Sequence, residues 1–176
     1  MIKLTTIFIL FLSVTAAGQR SVADLKPAHA TALETYLSAN KTLTFRQEHN
    51  LEDEYLVEVH KWFGNKFKPN YAVADFNRDK IMDFAVLLYR DGESVEGGGS
   101  EEPHKTDHPL RLVVFNGQNK GFRVAYTTDL MGPHAAFIHF DKSLYYGVFE
   151  SDADSFILAP AGKGYIMEFE KPRKIK

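Results

Sequence analysis

The chain has 176 residues, of which 44% are hydrophobic and 25% are charged, and it contains no cysteine. This composition excludes collagen-like, low-complexity and disulfide-stapled proteins, and the absence of thiols excludes thiolate catalysis and zinc bound by sulfur. The 21 Lys and Arg residues do not exceed the 23 Asp and Glu residues, so there is no excess positive charge to neutralise a phosphate backbone. Nucleic acid is therefore not an expected partner.

The N-terminus has the pattern of a secretory signal peptide. A basic start at residues 1–3 precedes an uncharged apolar run over residues 4–17, which ends in small residues. A transmembrane helix needs about 20 apolar residues, whereas polar Gln19 and Arg20 follow this run directly. We therefore expect residues 1–18 to be a cleaved signal peptide, with no stable membrane insertion of the chain after cleavage.

The rest of the chain is expected to form a single α+β domain over residues 19–170, followed by a basic tail at residues 171–176. A chain of this length can bury a sizeable core without disulfides. Export without cysteine is more typical of bacteria than of eukaryotes. The expected location is therefore periplasmic or secreted.

Two helices are predicted ahead of the strands. The first covers about residues 24–38, where Pro27 suits the first turn and apolar residues fall on one face. The second begins after Asn50, whose side chain can cap it, and ends at Gly64. The apolar positions are Leu25, Ala32, Leu33, Tyr36 and Leu37 in the first helix, and Leu51, Tyr55, Leu56, Val59 and Trp62 or Phe63 in the second.

From Tyr71 onward, segments rich in β-branched and aromatic residues alternate with short segments rich in Gly, Asn, Asp and Pro, which predicts strands joined by hairpins. The predicted strands are Tyr71–Ala74, Phe84–Tyr89, Leu110–Phe115, Phe122–Thr127, Ala136–Phe140, Leu144–Phe149, Ser155–Ala159 and Tyr165–Phe169. The expected fold class is therefore α+β, with N-terminal helices packed on an antiparallel β-meander sheet.

The segment 91–109 interrupts this pattern because it is long, glycine-rich and acidic. It is expected to be a surface loop, either a plain insertion or a lid over a site. His104 and His108 have a spacing that would suit zinc or copper on a helix, but Pro103 and Pro109 argue against a helix there. A solvated polar loop is the simpler interpretation.

A run of acidic and amide residues follows the first predicted strand. Asp75, Asn77, Asp79 and Asp83 occupy loop positions 1, 3, 5 and 9, and the carbonyl of Ile81 lies at position 7. This spacing allows a tight loop to turn its oxygen atoms inward, as a hard cation such as calcium requires. Three carboxylates so close together would also repel one another without a positive charge between them.

An EF-hand is excluded, because position 12 of the run is Val86 instead of Glu and a strand follows instead of a helix. The sequence YAVADFNRDKIMDFAVLLY instead resembles the FG-GAP/VCBS repeat, whose pattern is D-x-D/N-x-D-G-x-x-D followed by an apolar strand. The resemblance implies a single-repeat exported bacterial protein in which calcium fixes a turn between strands. The ligands it implies are Asp75, Asn77, Asp79, the Ile81 carbonyl and Asp83.

The chain departs from the repeat at position 6, where Lys80 replaces glycine. A left-handed conformation at a residue with a side chain costs about 1 kcal/mol, and a nearby ammonium competes with a bound cation. Calcium affinity is therefore expected to be reduced. In an alternative interpretation, Lys80 or Arg78 neutralises the carboxylates and the loop is a metal-free turn.

The primary functional hypothesis is an exported non-catalytic domain, in which the calcium-binding loop gives structural stability. Its partner would be an envelope or extracellular protein or a glycan. One alternative is a periplasmic or secreted hydrolase that pairs a loop carboxylate with Glu150 or Asp154, although residues 150–154 are more simply interpreted as a solvated turn. Another is an inhibitor or accessory protein that acts through the 91–109 loop.

The aromatic content is high, with 14 Phe, 8 Tyr and one Trp. Such residues suit the core of a packed sheet. Some of them could instead line a groove for sugar or peptide. The sequence does not separate these two uses.

Overall fold

The structure is a computed structural model that describes residues 25–45, 53–90, 109–130, 136–148 and 156–169. Within these ranges the chain forms two helices and nine strands. In chain order they are α1 (Pro27–Ala39), β1 (Leu43–Phe45), α2 (Asp53–Phe63), β2 (Tyr71–Ala74), β3 (Asp83–Arg90), β4 (Leu110–Gln118), β5 (Gly121–Leu130), β6 (Ala136–Asp141), β7 (Ser143–Val148), β8 (Phe156–Ala161) and β9 (Gly164–Phe169). None of the helices in the described ranges is long and apolar enough to cross a membrane.

Several predicted features lie outside these ranges. They are the signal peptide at 1–18, the acidic segment from 91 to 108 with His104 and His108, the acidic cluster at 150–154 and the tail at 171–176. The two flanks of the acidic segment are described, and there the Arg90 N–H donates to the Pro109 carbonyl at 3.1 Å. The segment therefore leaves β3 and returns to β4 at neighbouring positions.

The nine strands form two antiparallel sheets. In the first sheet the strand order is β1–β3–β4–β5, and β2 also pairs with β3. β1 pairs with residues 88–90 of β3 and β2 pairs with residues 83–86, so the two short strands follow one another along the same edge of β3. The second sheet is a meander in the order β6–β7–β8–β9.

The two sheets pack face to face, and the main core lies between them. Because side chains alternate along a strand, Ala85 and Leu87 of β3 point into this core. The core contains six large aliphatic side chains that are each at most 2% exposed, namely Leu87, Leu110, Leu112, Ile138, Leu144 and Leu158. Full burial of such a side chain contributes about 1.5–3 kcal/mol, so this interface dominates the stability of the fold.

Helix α1 covers the other face of the first sheet. Pro27 occupies its first turn, as predicted, and Leu33 is fully buried in a cluster with Phe84, Val86 and Phe115. Strand β3 is therefore covered on both faces. This double coverage explains why residues 83–88 are all buried and why this strand has a continuous apolar sequence instead of an alternating one.

The expected α+β class is wrong. The fold is mainly β, with two sheets packed together, and it is not a pair of helices packed on one meander. Helix α2 buries Val59 but leaves the end of its predicted apolar stripe in solvent, since Trp62 is 72% exposed and Phe63 is 37% exposed. The physical reason is that the inward face of the first sheet is buried by a second sheet, so the fold does not depend on a helix pair to cover it.

The individual strand predictions are confirmed. All eight predicted strands are present as β2–β9, with limits within three residues of those expected. Helix α2 ends at Phe63, directly before Gly64 as predicted, and Gly64 has a left-handed conformation with φ of 86°. The three-residue strand β1 was not predicted.

Candidate functional site

The loop between β2 and β3, taken together with Asp83 at the start of β3, contains all five predicted calcium ligands. The two strands pair antiparallel as far as Ala74 and Asp83, so the ends of the loop lie side by side. Within it, Asp79 is exposed, Asp75 and Asn77 are half-buried, and Asp83 is fully buried. The carboxylates of one motif therefore lie in different environments.

Asp83 ties the loop to the first sheet. One of its oxygens accepts hydrogen bonds from the N–H groups of Phe76 at 2.9 Å and Asn77 at 3.3 Å, and the other accepts from the N–H of Gly117 at 2.8 Å. Burial raises the pKa of Asp83, while the three N–H bonds act in the opposite direction. A Cβ atom on Gly117 would lie 2.4 Å from the Met82 carbonyl oxygen, so only glycine permits this close approach.

Asp75 and Asp79 organise the backbone of the loop. The Asp75 carboxylate accepts hydrogen bonds from the N–H groups of Asp79 at 3.0 Å and Lys80 at 2.8 Å. One Asp79 oxygen accepts from the Ile81 N–H at 2.8 Å, and the other accepts from the Asn77 side-chain amide at 2.9 Å. These bonds hold the predicted ligand residues in one tight turn.

The backbone of the turn is left-handed at two residues with side chains. Arg78 has φ of 63° and Lys80 has φ of 72°. Lys80 stands where the FG-GAP/VCBS pattern has glycine, so the expected left-handed conformation at this position is confirmed. The conformation costs about 1 kcal/mol more than it would for glycine, which the hydrogen bonds to Asp75 help to offset.

The donor set fits a hard cation in its chemistry, because it consists of oxygen atoms. With about four acceptor positions on a carboxylate and two on an amide oxygen, the hydrogen bonds leave positions open on Asp75, Asn77, Asp79 and Asp83. No three His, Asp or Glu side chains of the described residues are grouped so as to hold a metal ion. Coordination would therefore require the outer carboxylates to turn toward a common point.

The basic residues of the loop form no ion pair with its carboxylates in the described part of the chain. The Arg78 guanidinium donates to the Lys142 carbonyl at 3.5 Å, on the turn between β6 and β7. Neither Arg78 nor Lys80 forms an ion pair with a loop carboxylate within the described ranges. The internal ion pair that the sequence left open is thus not the arrangement in this structure.

An open cleft lies close to this loop, and we call it the aromatic cleft. It has a volume of about 490 Å³ and is lined by Phe63, by residues 66–68 after α2, by residues 71–73 of β2 and by residues 138–141 of β6. At one end the Ile138 N–H donates to the Pro69 carbonyl at 2.8 Å. The cleft therefore lies where the edges of the two sheets meet.

Aromatic rings form one wall of the cleft. The Phe63 ring is stacked on Phe67 with 4.5 Å between centroids, and it also lies 5.0 Å from the His139 ring and 5.4 Å from the Phe137 ring. The His139 ring in turn stacks on Tyr145 at 4.7 Å. These contacts attach the end of α2 to the outer face of the second sheet.

The acidic loop and the aromatic cleft are in direct contact. Phe76 of the loop is 4% exposed, and its ring lies 5.5 Å from the ring of Phe140, which lines the cleft. The bond from Arg78 to the Lys142 carbonyl joins the loop to the end of the same strand. A change in the order of the loop would therefore reach the cleft wall.

Sequence reasoning located the loop and missed the cleft. Trp62 or Phe63 was assigned to the apolar stripe of the second helix, and no pattern linked either residue to His139. The available signal was the short segment 63–68, which combines two Phe and two Lys residues around Gly64. The residues of the hydrolase alternative at 150–154 lie outside the described ranges, so their distance from the loop stays a prediction.

No protein-family model matches the chain, and searches of curated proteins and of solved structures found no match either. The resemblance to the FG-GAP/VCBS repeat therefore rests on the 75–83 loop and the two strands that flank it.

Proposed function

We propose that the protein is an exported, non-catalytic recognition domain whose 75–83 loop binds calcium for structural stability. The N-terminal pattern supports a periplasmic or secreted location. Recognition of an envelope or extracellular partner takes place at the aromatic cleft, which has the volume of a ligand site and an open lining that combines aromatic rings with polar and charged side chains.

One observation carries the calcium proposal. The loop places three carboxylates and an amide oxygen within nine residues, and its nearest guanidinium, on Arg78, is directed to a carbonyl of another turn. Like charges at this density favour a bound cation, and an all-oxygen donor set favours calcium over softer metals. The proposed ligands are Asp75, Asn77, Asp79, the Ile81 carbonyl and Asp83.

Each part of the loop has its own role in this proposal. Asp83, which is buried and bonded to Gly117 of β4, anchors the loop to the first sheet. Asp75 and Asp79 present the outer oxygens to the cation and hold the turn through backbone N–H groups. Phe76 transmits the order of the turn to Phe140 of the cleft. The role of calcium is thus to order the binding surface, and it takes no part in a chemical step.

The calcium proposal is tested by thermal unfolding of the purified protein in about 5 mM calcium and in chelator. For a weak extracellular site with a Kd of about 0.1–1 mM, mass action predicts a gain of about 1–2 kcal/mol. For a chain of this size that gain raises the Tm by about 3–6 °C. Equal melting temperatures in the two buffers would refute calcium binding.

Two variants locate the effect. Asp79→Asn removes an outer carboxylate but keeps an acceptor for the Ile81 N–H, so it should lose most of the calcium response while still folding. Glu168→Gln removes an exposed carboxylate of β9, outside the loop, and should respond like the wild-type protein. If both variants keep the full response, the cation binds elsewhere.

A further inference from the structure

Three buried polar side chains lie together at one end of the space between the two sheets, and we call them the polar junction. They are Asp83 of β3, Asn116 of β4 and Tyr165 of β9, each at most 6% exposed. The β3–β4 ladder ends at the pair Phe84 and Phe115. Asp83 and Asn116 are the residues next to this pair, so they lie side by side on adjacent strands. Such buried polar groups are normally hydrogen-bonded.

One hydrogen bond of the junction joins the two sheets. The Tyr165 hydroxyl, from the second sheet, donates to the Asn116 side-chain oxygen, in the first sheet, at 2.7 Å. Burial is the main cause that raises the pKa of the Tyr165 hydroxyl, and the nearby charge of Asp83 acts in the same direction. The hydroxyl therefore lies close to the Asp83 carboxylate as well.

Asp83 links the junction to the 75–83 loop. Its carboxylate accepts three N–H bonds, two from Phe76 and Asn77 of the loop and one from Gly117 of β4. Opening of the loop would remove two of these donors from a fully buried charge, which is costly. The Tyr165 hydroxyl is close enough to replace them, but only by leaving Asn116. The order of the loop and the bond between the sheets are therefore linked.

Tyr165 also lies at the seam where β9 of the second sheet meets β5 of the first. Its ring is edge-on to the Tyr126 ring, with 6.4 Å between centroids. Nearby, the Arg123 guanidinium donates to the Lys163 carbonyl at 3.0 Å. Within its own sheet β9 is the last strand and pairs with β8 alone. The seam and the polar junction therefore contribute directly to the attachment of β9 to the first sheet.

We propose that the polar junction couples the 75–83 loop to β9. An ordered loop keeps Tyr165 bonded to Asn116 and β9 attached to the first sheet, and a loosened loop releases both. The coupling requires an ordered loop, whatever the source of that order, and only its use by calcium rests on the calcium proposal above. Where calcium orders the loop, it acts on the β5–β9 seam as well as on the aromatic cleft.

The test is amide hydrogen exchange followed by NMR, first in chelator. Asp75→Ala loosens the loop, because it removes the acceptor of the Asp79 and Lys80 N–H groups. It should accelerate exchange about fivefold more in β9 than in β1, the short edge strand that pairs with the far end of β3. In a Tyr165→Phe background, the same change should accelerate the two strands equally.

Two further variants separate the hydrogen bond from packing. Asn116→Ala removes the acceptor and keeps the Tyr165 ring, so it should abolish the excess effect on β9 in the same way, and it decides the question if Tyr165→Phe does not fold. Tyr126→Phe removes another hydroxyl beside the seam and should preserve the excess. Equal acceleration of β9 and β1 without these variants, or an excess that persists in Tyr165→Phe, would overturn the coupling.

A second arm adds about 5 mM calcium, a concentration that fills a weak site. Calcium should slow exchange in β9 more than in β1 in the wild-type protein, and equally in the two strands in Tyr165→Phe. An excess effect of Asp75→Ala in chelator, together with no calcium effect on melting, would support the coupling and refute only the calcium loop. A calcium effect on melting with no excess in β9 in either arm would refute only the coupling.

Discussion

Acidification is expected to loosen α1 from the first sheet, because a histidine of that helix is buried against the sheet. His29 is 4% exposed, its ring is stacked on Phe84 at 4.4 Å, and its Nδ1 atom lies 2.5 Å from the Tyr71 hydroxyl. Burial lowers the pKa of His29 from 6.5 to about 4, and the nearby charge of Lys26 acts in the same direction. The folded protein therefore holds this imidazole neutral.

The sign and size of the effect follow from the two pKa values. Between about pH 4 and 6.5 the unfolded chain binds a proton at His29 and the folded chain does not, so the free energy of unfolding falls as the pH falls. At 1.36 kcal/mol per pKa unit, lowering the pH from 7 to 5 removes about 2 kcal/mol from this source alone. Such a loss is a large fraction of the stability of a typical domain.

The assay is urea unfolding of the wild-type protein and of His29→Phe at pH 7 and at pH 5. The Phe ring can keep the stacking on Phe84 and cannot titrate, although it leaves the Tyr71 hydroxyl without its partner. The raised pKa of Asp83 changes the free energy of unfolding in the opposite direction over this pH range. This contribution cancels when the two proteins are compared, because both contain Asp83. If the two proteins lose the same free energy between the two pH values, the reasoning about His29 is refuted.

Three further predictions concern the glycines, the loop and the N-terminus. Gly117→Ala should destabilise the protein by about 2–3 kcal/mol in urea unfolding, because the new methyl group would lie 2.4 Å from the Met82 carbonyl oxygen. A methyl group on Gly64 would have no atom within 4 Å, so Gly64→Ala should lower the free energy of unfolding by only about 1 kcal/mol, because its backbone is left-handed. Equal losses of stability in the two variants would contradict the clash at Gly117. Lys80→Gly should strengthen calcium binding several-fold in a calorimetric titration, since it removes a nearby ammonium and relaxes the turn, and an unchanged or weaker affinity would count against a cation site. Mass spectrometry of the chain recovered from a bacterial periplasm should show cleavage close to Gly18, and an intact N-terminus there would contradict the signal peptide.

The strands were predictable because their determinants are local. Segments such as Asn116–Gly121 and Asp141–Ser143 join apolar stretches over a few residues, so pairing of neighbouring strands follows from turn chemistry. The split into two sheets was not predictable in this way. The sequence between β5 and β6 is equally compatible with a hairpin inside one sheet and with a connection that crosses to a second sheet. Which of the two forms depends on which apolar sheet faces cover each other in three dimensions.

The candidate site also has one part that local sequence predicts and one part that it does not. The acidic loop is contiguous in sequence, so its spacing alone located Asp75 and Asp83 in one turn, and the structure places them there. The cleft joins Phe63 with His139 and Phe140, which are separated by more than 70 residues in the chain. Periodicity assigned Phe63 to a buried stripe, because an apolar residue on a helix has the same signature in a core and in a binding surface.

The arrangement of β1 and β2 has a consequence for how this protein can change. Phe45 at the end of β1 pairs with Leu88, and Tyr71 at the start of β2 pairs with Val86. These partners are two residues apart on β3, a distance of about 7 Å. Residues 46–70 thus begin and end at nearly the same place on a buried strand. They include the segment 63–68 that forms one wall of the cleft, whereas the carbonyls of Pro69 and Asn70 accept hydrogen bonds from Ile138 and Leu87. Residues 46–68 can therefore be exchanged as one cassette without altering the sheet register. Selection for a new partner can therefore act on this cassette while the core stays constant.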